Sequence, residues 1–238
     1  MKKEEAISII AARGGSKRFP KKNIQLLDGK PLIFYAIDAA KKSKFVKEVI
    51  VNTDDTQIAD IAKTLGAKVP YLRPKKLAND TIQADMAVAE MVERLDLYKK
   101  YEAVVINPPT SPFIKPKHID DCLTLLFNNS EFDSVTTLSR LDNRHHSLNL
   151  GIKKSSNEWK FIFGQERDNF KSRQSKPENY KFCNLFAIRS KQILKGDRFG
   201  KKLGFIELPS LFSHDIDSEF DLFLAEQILS KYKENIFN

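Results

Sequence analysis

Apolar residues along the first 130 positions follow two alternating rhythms. Short β-branched runs at Ala6–Ala12, Glu48–Asn52 and Ala103–Asn107 read as strands. Stretches at Leu32–Lys42, Asp55–Leu65, Ile82–Leu95 and Pro116–Asn128 carry the three-to-four-residue spacing of amphipathic helices. Strands separated by helices of that length are joined by crossovers, so the pattern predicts an α/β fold with a mostly parallel central sheet.

After Asp133 the rhythm changes. Ser134–Ser139 reads as a strand, and the polar stretch that follows, through Arg173, contains NRHHSLNLGIKKSSNEWK, rich in turn formers and without a sustained helical period. Within it Trp159, Phe161 and Phe163 alternate with Lys160 and Ile162, as in a half-buried strand. The expectation is a small β-rich lobe at about residues 140–175, inserted into one domain that spans residues 1–238. Strand pattern resumes at Phe182–Arg189 and Gly204–Leu208, and a helix from Ser218 to about Lys233 closes the chain.

With 238 residues, 41% of them hydrophobic, the chain can bury a full core, which excludes intrinsic disorder. No run approaches the roughly 18–20 apolar residues of a membrane span, so no membrane partner is expected. The opening MKKEEAISIIAARGG is interrupted by Glu4, Glu5 and Arg13, and reads as a first strand rather than a leader. Cys122 and Cys183 lack CxxC spacing and the four histidines are scattered, which argues against a disulfide framework or a zinc site. His145 and His146 read as a solvated loop pair. A reducing, cytoplasmic location fits. The net charge of +9 calls for an anionic partner, a condition that phosphate esters, nucleic acid and anionic lipid all meet.

Position narrows that choice. Directly after the first strand comes Arg13-Gly14-Gly15-Ser16-Lys17-Arg18-Phe19-Pro20-Lys21-Lys22-Asn23, with five cationic side chains and no acidic one. Two glycines let backbone N–H groups approach phosphate oxygens, while Arg and Lys neutralise a polyphosphate. An arbitrary run of cations is more often a solvated turn, but loops at the carboxyl ends of strands are where open α/β sheets bind ligands. Neither GxxxxGK[ST] nor GxGxxG occurs, which weakens ATPase and dinucleotide readings.

The block Ala12-Arg13-Gly14-Gly15-Ser16-Lys17, with Lys21, Lys22 and Asn23, resembles the signature of the acylneuraminate cytidylyltransferase family, the CMP-sialic acid synthetases and their relatives. The resemblance continues through Asp28-Gly29-Lys30-Pro31-Leu32, Asn52-Thr53-Asp54-Asp55, Arg73-Pro74, Leu77-Ala78-Asn79-Asp80, Pro109-Thr110-Ser111-Pro112, Arg173-Gln174 and Asp215-Ile216-Asp217. It implies a Rossmann-like nucleotidyltransferase fold and Mg²⁺-dependent transfer of CMP from CTP to the anomeric hydroxyl of a sialic-acid-like sugar, with release of pyrophosphate. By the same resemblance Arg13 and Lys21 hold the triphosphate, Ala12, Gly14 and Gly15 line it, Lys17 adds charge, and Asn23, Arg73, Asn79 and Asp80 contact the nucleotide. Arg173 and Gln174 bind the acceptor, a cation for its carboxylate and a donor for its hydroxyls. The catalytic set is Arg13, Lys21 and Asp217. The inserted lobe is expected to pair subunits in a homodimer and to wall the partner's acceptor site.

Asp215 and Asp217 are two residues apart, so an extended segment aims both carboxylates to one side, as Mg²⁺ requires. Such a pair is common in solvated loops, and the basic loop upstream favours metal. Two acceptor-side blocks depart from the family pattern. Pro108 stands where a glutamine is usual, and Cys183 and Asn184 replace an Asn-Gly pair. Loss of polar partners at a sugar site penalises N-acetylneuraminate. A legionaminic-like, pseudaminic-like or related nonulosonate, or an octulosonate, is therefore an alternative acceptor. Competing readings are a related sugar nucleotidyltransferase, a GT-A-like glycosyltransferase, and a nucleic-acid-binding module using the lysines around Trp159. The absence of a recognition motif argues against nucleic acid.

Overall fold

The run Ala6–Ala11 is apolar apart from Ser8 because helices cover both of its faces. It is an inner strand of the main sheet in a computed structural model that describes residues 4–16, 18–78, 84–170, 172 and 175–237. The longer strands are β1 (Ala6–Ala11), β2 (Val46–Asn52), β3 (Ala103–Ile106), β4 (Ser134–Arg140), β5 (Gly151–Lys153), β6 (Trp159–Phe161), β7 (Tyr180–Arg189) and β8 (Leu203–Glu207). The longer helices are α1 (Leu32–Lys42), α2 (Thr56–Thr64), α3 (Ala84–Arg94), α4 (Pro116–Asn128) and α5 (Glu219–Phe237).

Six strands form one sheet in the order β8-β4-β7-β3-β1-β2. β7 runs antiparallel to both neighbours and the other pairs are parallel, so the sheet is mostly parallel as expected. Ala36, Ile37 and Ala40 of α1 and Ile119 and Leu123 of α4 pack on one face. Val88, Met91 and Val92 of α3 cover the other. A third cluster joins Phe19, Leu32, Phe113, Ile216, Ala225 and Leu229 beneath α5. It pins three loops at one end of the sheet.

Most predicted boundaries hold within two residues, except that α5 runs to Phe237 across a non-helical Tyr232 (φ −124°). Ile82, the expected start of α3, lies outside the described residues. Not foreseen is a hairpin of two-residue strands, Leu26–Leu27 and Lys30–Pro31. Asp28 and Gly29 turn it with φ of 49° and 73°, the positive pair that a two-residue turn matching strand twist demands.

The inserted segment holds its own two-stranded sheet, β5 antiparallel to β6. The alternation expected through Phe163 stops at Phe161, because Phe163 begins a single helical turn at Gly164–Asp168. Trp159 is 56% exposed rather than half-buried. His146 is also not solvated: it is buried, its Nδ1 accepts from the Leu148 N–H and its Nε2 meets the Pro177 carbonyl at 2.7 Å. Among the described residues no helix is long and apolar enough to cross a membrane.

Candidate active site

β1 lies between β2 and β3, and the chain leaves it in one direction to reach β2 and later returns on the other side to β3. The carboxyl ends of these strands therefore flank a topological switch point, the position where open α/β sheets bind ligands. Three loops meet there: the basic loop after β1, Asn52–Asp55 after β2, and Asn107–Pro112 after β3.

The basic loop is held mainly by its own chain. Ala12 is buried and its N–H donates to the Asn52 carbonyl at 3.0 Å. Asn23, also buried, donates from Nδ2 to the Arg13 carbonyl at 2.9 Å, so its amide fixes the loop's curvature. The Gly14 N–H donates to Asp54 Oδ1 at 3.0 Å. A Cβ on Gly14 would lie 2.7 Å from Asp55 Oδ2, so here the close approach that demands glycine comes from Asp55. Gly15 is the open position, with no atom within 4 Å of where its Cβ would be.

Lys21 and Lys22 part company. Lys21 adopts a left-handed conformation (φ 53°) and reaches Gln57 Oε1 of α2 at the surface, 3.2 Å away. The 3₁₀ turn Lys22–Ile24 that follows swings Lys22 inward, where its Nζ lies 2.5 Å from Asp217 Oδ1. The geometry brings Lys22, not Lys21, to the paired carboxylates.

Arg73 was expected at the nucleotide, but it is only 6% exposed and faces inward. Its Nε donates to Asn52 Oδ1 at 2.8 Å and its Nη2 to the Asn52 carbonyl at 2.6 Å. Burial holds the guanidinium below the usual arginine range; nearby Asp54 opposes that shift and Arg13 adds to it. Hydrogen bonds to a charged group contribute about 1.5–3 kcal/mol each, which suits a residue that shapes the end of β2. Asn52 in turn donates to the Ala87 carbonyl of α3 at 2.8 Å.

Asp215 and Asp217 flank a buried residue. Ile216 between them is fully buried in the α5 cluster, and its N–H donates to the Thr110 carbonyl at 2.8 Å. Ser111 Oγ donates to Asp215 Oδ1 at 3.3 Å. Burial raises the Asp215 carboxyl above the usual range; a Thr110 hydrogen bond works against the shift and the neighbouring Asp217 charge works with it. Beyond the pair, Ser218 Oγ accepts from the Asp221 N–H at 3.2 Å and donates to Asp221 Oδ2 at 2.7 Å, starting α5. Among the described residues no group of three or more His, Cys, Asp or Glu side chains is placed to hold a metal. Lys17, Asn79, Asp80, Arg173 and Gln174 lie outside the described residues.

Three contributors went unassigned from sequence: Lys22, Asp54 and Asn52. An acidic pair at the end of β2 beside a cationic loop at the end of the adjacent β1 was the available signal.

A family model described as Cytidylyltransferase matches residues 7–234. The chain belongs to the cytidylyltransferase family. Among relatives of this cytidylyltransferase, the CMP-N,N'-diacetyllegionaminic acid synthase of Campylobacter jejuni is 27% identical over 230 residues, covering 95% of each chain. The enzyme of the same name from Legionella pneumophila is 44% identical over 116 residues, and that match spans 48% of this chain and 49% of the relative. These relatives bear out the resemblance to acylneuraminate cytidylyltransferases. A structure of CMP:2-keto-3-deoxy-manno-octonic acid synthetase complexed with CTP has the same fold, with a TM-score of 0.73, 15% identity, and coverage of 95% of this chain and 99% of that one.

The cytidylyltransferase's departures from its family pattern now have a physical setting. Asn184 replaces a glycine and has φ 62°, at an irregularity in the pairing of β7 with β4. Asparagine is among the few other residues that tolerate that conformation, so the backbone course is preserved. Cys183 is buried and burial pushes its thiol up to about 11, which keeps it protonated and unreactive near neutral pH.

Proposed function

We propose that this cytidylyltransferase transfers CMP from CTP to the anomeric hydroxyl of a sialic-acid-like nonulosonate. The sugar oxygen bonds to the α-phosphorus as the bond from that phosphorus to the bridging β-phosphate oxygen breaks; pyrophosphate leaves and the hydroxyl proton passes to solvent. The observation that carries the reading is the meeting, at the switch point, of the five-cation loop with Asp215 and Asp217 through Lys22. Arg13 and Lys22 are assigned to the phosphates, and Gly15 provides the open backbone. Arg73, Asn52 and Asn23 position that loop from beneath.

Asp215 and Asp217 fit Mg²⁺: both are hard oxygen donors, two residues apart and both near Lys22, and with only two of them phosphate oxygens and water would complete the shell. When bound, Mg²⁺ neutralises charge on the phosphates and lowers the pKa of a bound hydroxyl. The protein's own contribution is to hold nucleophile and phosphorus in line and to meet developing charge with Arg13 and Lys22.

Acceptor choice is assigned to a nonulosonate other than N-acetylneuraminate, on the strength of Pro108 and Cys183 and of the names of the relatives. Arg173 and Gln174 are assigned to its carboxylate and hydroxyls. The protein is proposed to work in the cytoplasm as a homodimer. The exposed Leu150, Ile152, Trp159 and Ile162 on the inserted lobe support a second copy as their cover.

Pyrophosphate release is the deciding assay, with Mg²⁺, each nucleoside triphosphate in turn, and a panel of acidic nine- and eight-carbon sugars. Release with CTP and a nonulosonate is expected. Release with CTP and only an octulosonate would reassign the acceptor class, and none with any pair would overturn the reading.

A further inference from the structure

Lys22 joins two parts of the site that are positioned independently. The 3₁₀ turn and the Asn23 bond to the Arg13 carbonyl fix it on one side. Buried Ile216 and the Asp217 N–H bond to Asp221 Oδ2 (3.1 Å) fix Asp217 on the other. Neither side chain needs the other to be placed. Yet Nζ and Oδ1 meet at 2.5 Å, with the Lys22 side chain 19% exposed and that of Asp217 60% exposed.

A divalent cation at the aspartate pair requires the same Asp217 oxygen. An ammonium at hydrogen-bonding distance occupies that oxygen and repels a second cation from it. The alternative partner for Lys22 is the triphosphate, whose oxygens carry the same charge and accept the same bonds as the carboxylate. We propose that Lys22 is a latch on the metal site: without nucleotide it holds Asp217 and keeps divalent cations away, and with nucleotide it exchanges Asp217 for phosphate oxygens. Asp217 is then free to join Asp215 in binding the ion. The exchange leaves every cation with an anionic partner, and it makes metal and nucleotide bind as a unit. By linkage each strengthens the other's binding by the same factor. This rests on the assignment of Asp215 and Asp217 as metal ligands made above.

The test uses Mn²⁺ as the probe and water-proton relaxation enhancement as the readout, since the signal rises when the ion tumbles with the protein. The full chain is titrated with and without CTP, in wild type, Lys22→Met, Lys22→Arg and Asp217→Asn, each checked for folding by thermal melting. Without CTP, wild type and Lys22→Arg should show weak binding, and Lys22→Met should bind Mn²⁺ about tenfold or more tightly. With CTP, wild type should match or exceed Lys22→Met without it, and Asp217→Asn should remain weak throughout. Equal Mn²⁺ binding by nucleotide-free wild type and Lys22→Met, with both lost in Asp217→Asn, would overturn the latch and leave the metal site standing. Enhancement that is indifferent to Asp217 even with CTP would overturn the metal assignment itself, and the latch with it.

Discussion

The switch-point loops and the inserted lobe lie in one chain but are stabilised in opposite ways. At the switch point the loops are tied together by hydrogen bonds within the protein: Asn23 on Arg13, Gly14 on Asp54, Arg73 on Asn52, and Asn52 on α3. The lobe has a two-stranded sheet in which Ile152 and Trp159 are exposed. An isolated hairpin is marginal in water, because two strands bury too little to offset their ordering. The contrast teaches that the switch-point end is built in advance by contacts within the chain, whereas the lobe leaves apolar surface exposed that the proposed second copy would cover.

Breaking the site's chemistry should give the largest effect. Asp217→Asn is expected to lower CTP-dependent pyrophosphate release by about 10³-fold, because it removes one of the two proposed hard ligands and a partner of Lys22. Its melting temperature should stay near wild type, since Asp217 is exposed and its main-chain bond to Asp221 survives. Turnover within tenfold of wild type would remove Asp217 from the reaction.

Breaking the support beneath the loop should act on stability first. Arg73→Ala leaves Asn52 without two of its bonds and opens a buried space, for an expected loss of about 3 kcal/mol in urea unfolding. For a chain of this size that corresponds to roughly 6–12 °C in melting temperature. Were Arg73 chiefly a ligand contact, the substitution would instead raise the KM for CTP and leave unfolding unchanged.

How much of this was legible in the sequence divides along the same line. Strands and helices were readable because burial on one or both faces leaves a period of two or of three to four. The burial of Ile216 was readable because an apolar residue between two carboxylates is the one that turns to the core. The inward turn of Arg73 was not, since a guanidinium beside a proline looks the same whether it meets solvent or the carbonyl of Asn52. Nor was the choice of Lys22 over Lys21, which depends on one left-handed residue at the start of a 3₁₀ turn. The D-G hairpin had its signal, positive-φ formers at Asp28 and Gly29, but strands of two residues carry no readable period.

A pH effect sharpens the comparison at the first turn of α4. His118, in the first turn of α4, is buried, and its Nδ1 accepts the Lys115 N–H at 3.2 Å. Burial, with Lys115 and Lys117 adding to it and Asp121 opposing, pushes the imidazole down to about 4. Because the folded value lies below the ordinary 6.5, between about pH 6.5 and 4 the unfolded chain takes up a proton that the folded chain refuses. Stability is therefore full above that window and falls as the pH drops through it. His118→Asn can still accept from Lys115 without titrating, so its loss of unfolding free energy between pH 7 and 4.5 should be smaller than that of wild type by about 2 kcal/mol. Identical pH slopes would mean that His118 is protonated in the folded protein.

The smallest expected change is in the lobe, and it bears most directly on the contrast. Ile152 and Ile162 are exposed, so replacing both with glutamate removes little buried contact within the chain and should alter the unfolding free energy of the monomer by no more than about 0.5 kcal/mol. If a second copy covers these side chains, two charges placed in that contact must be desolvated, and sedimentation should show the proposed dimer weakened by about 100-fold or more. The two readouts separate the origins of the lobe's stability. Loss of several kcal/mol from the monomer would show that the lobe's apolar side chains already belong to a core of this chain, and would dissolve the distinction between a site built in advance and a lobe completed from outside. An unchanged monomer with a weakened dimer would place the missing half of the lobe's packing on the partner.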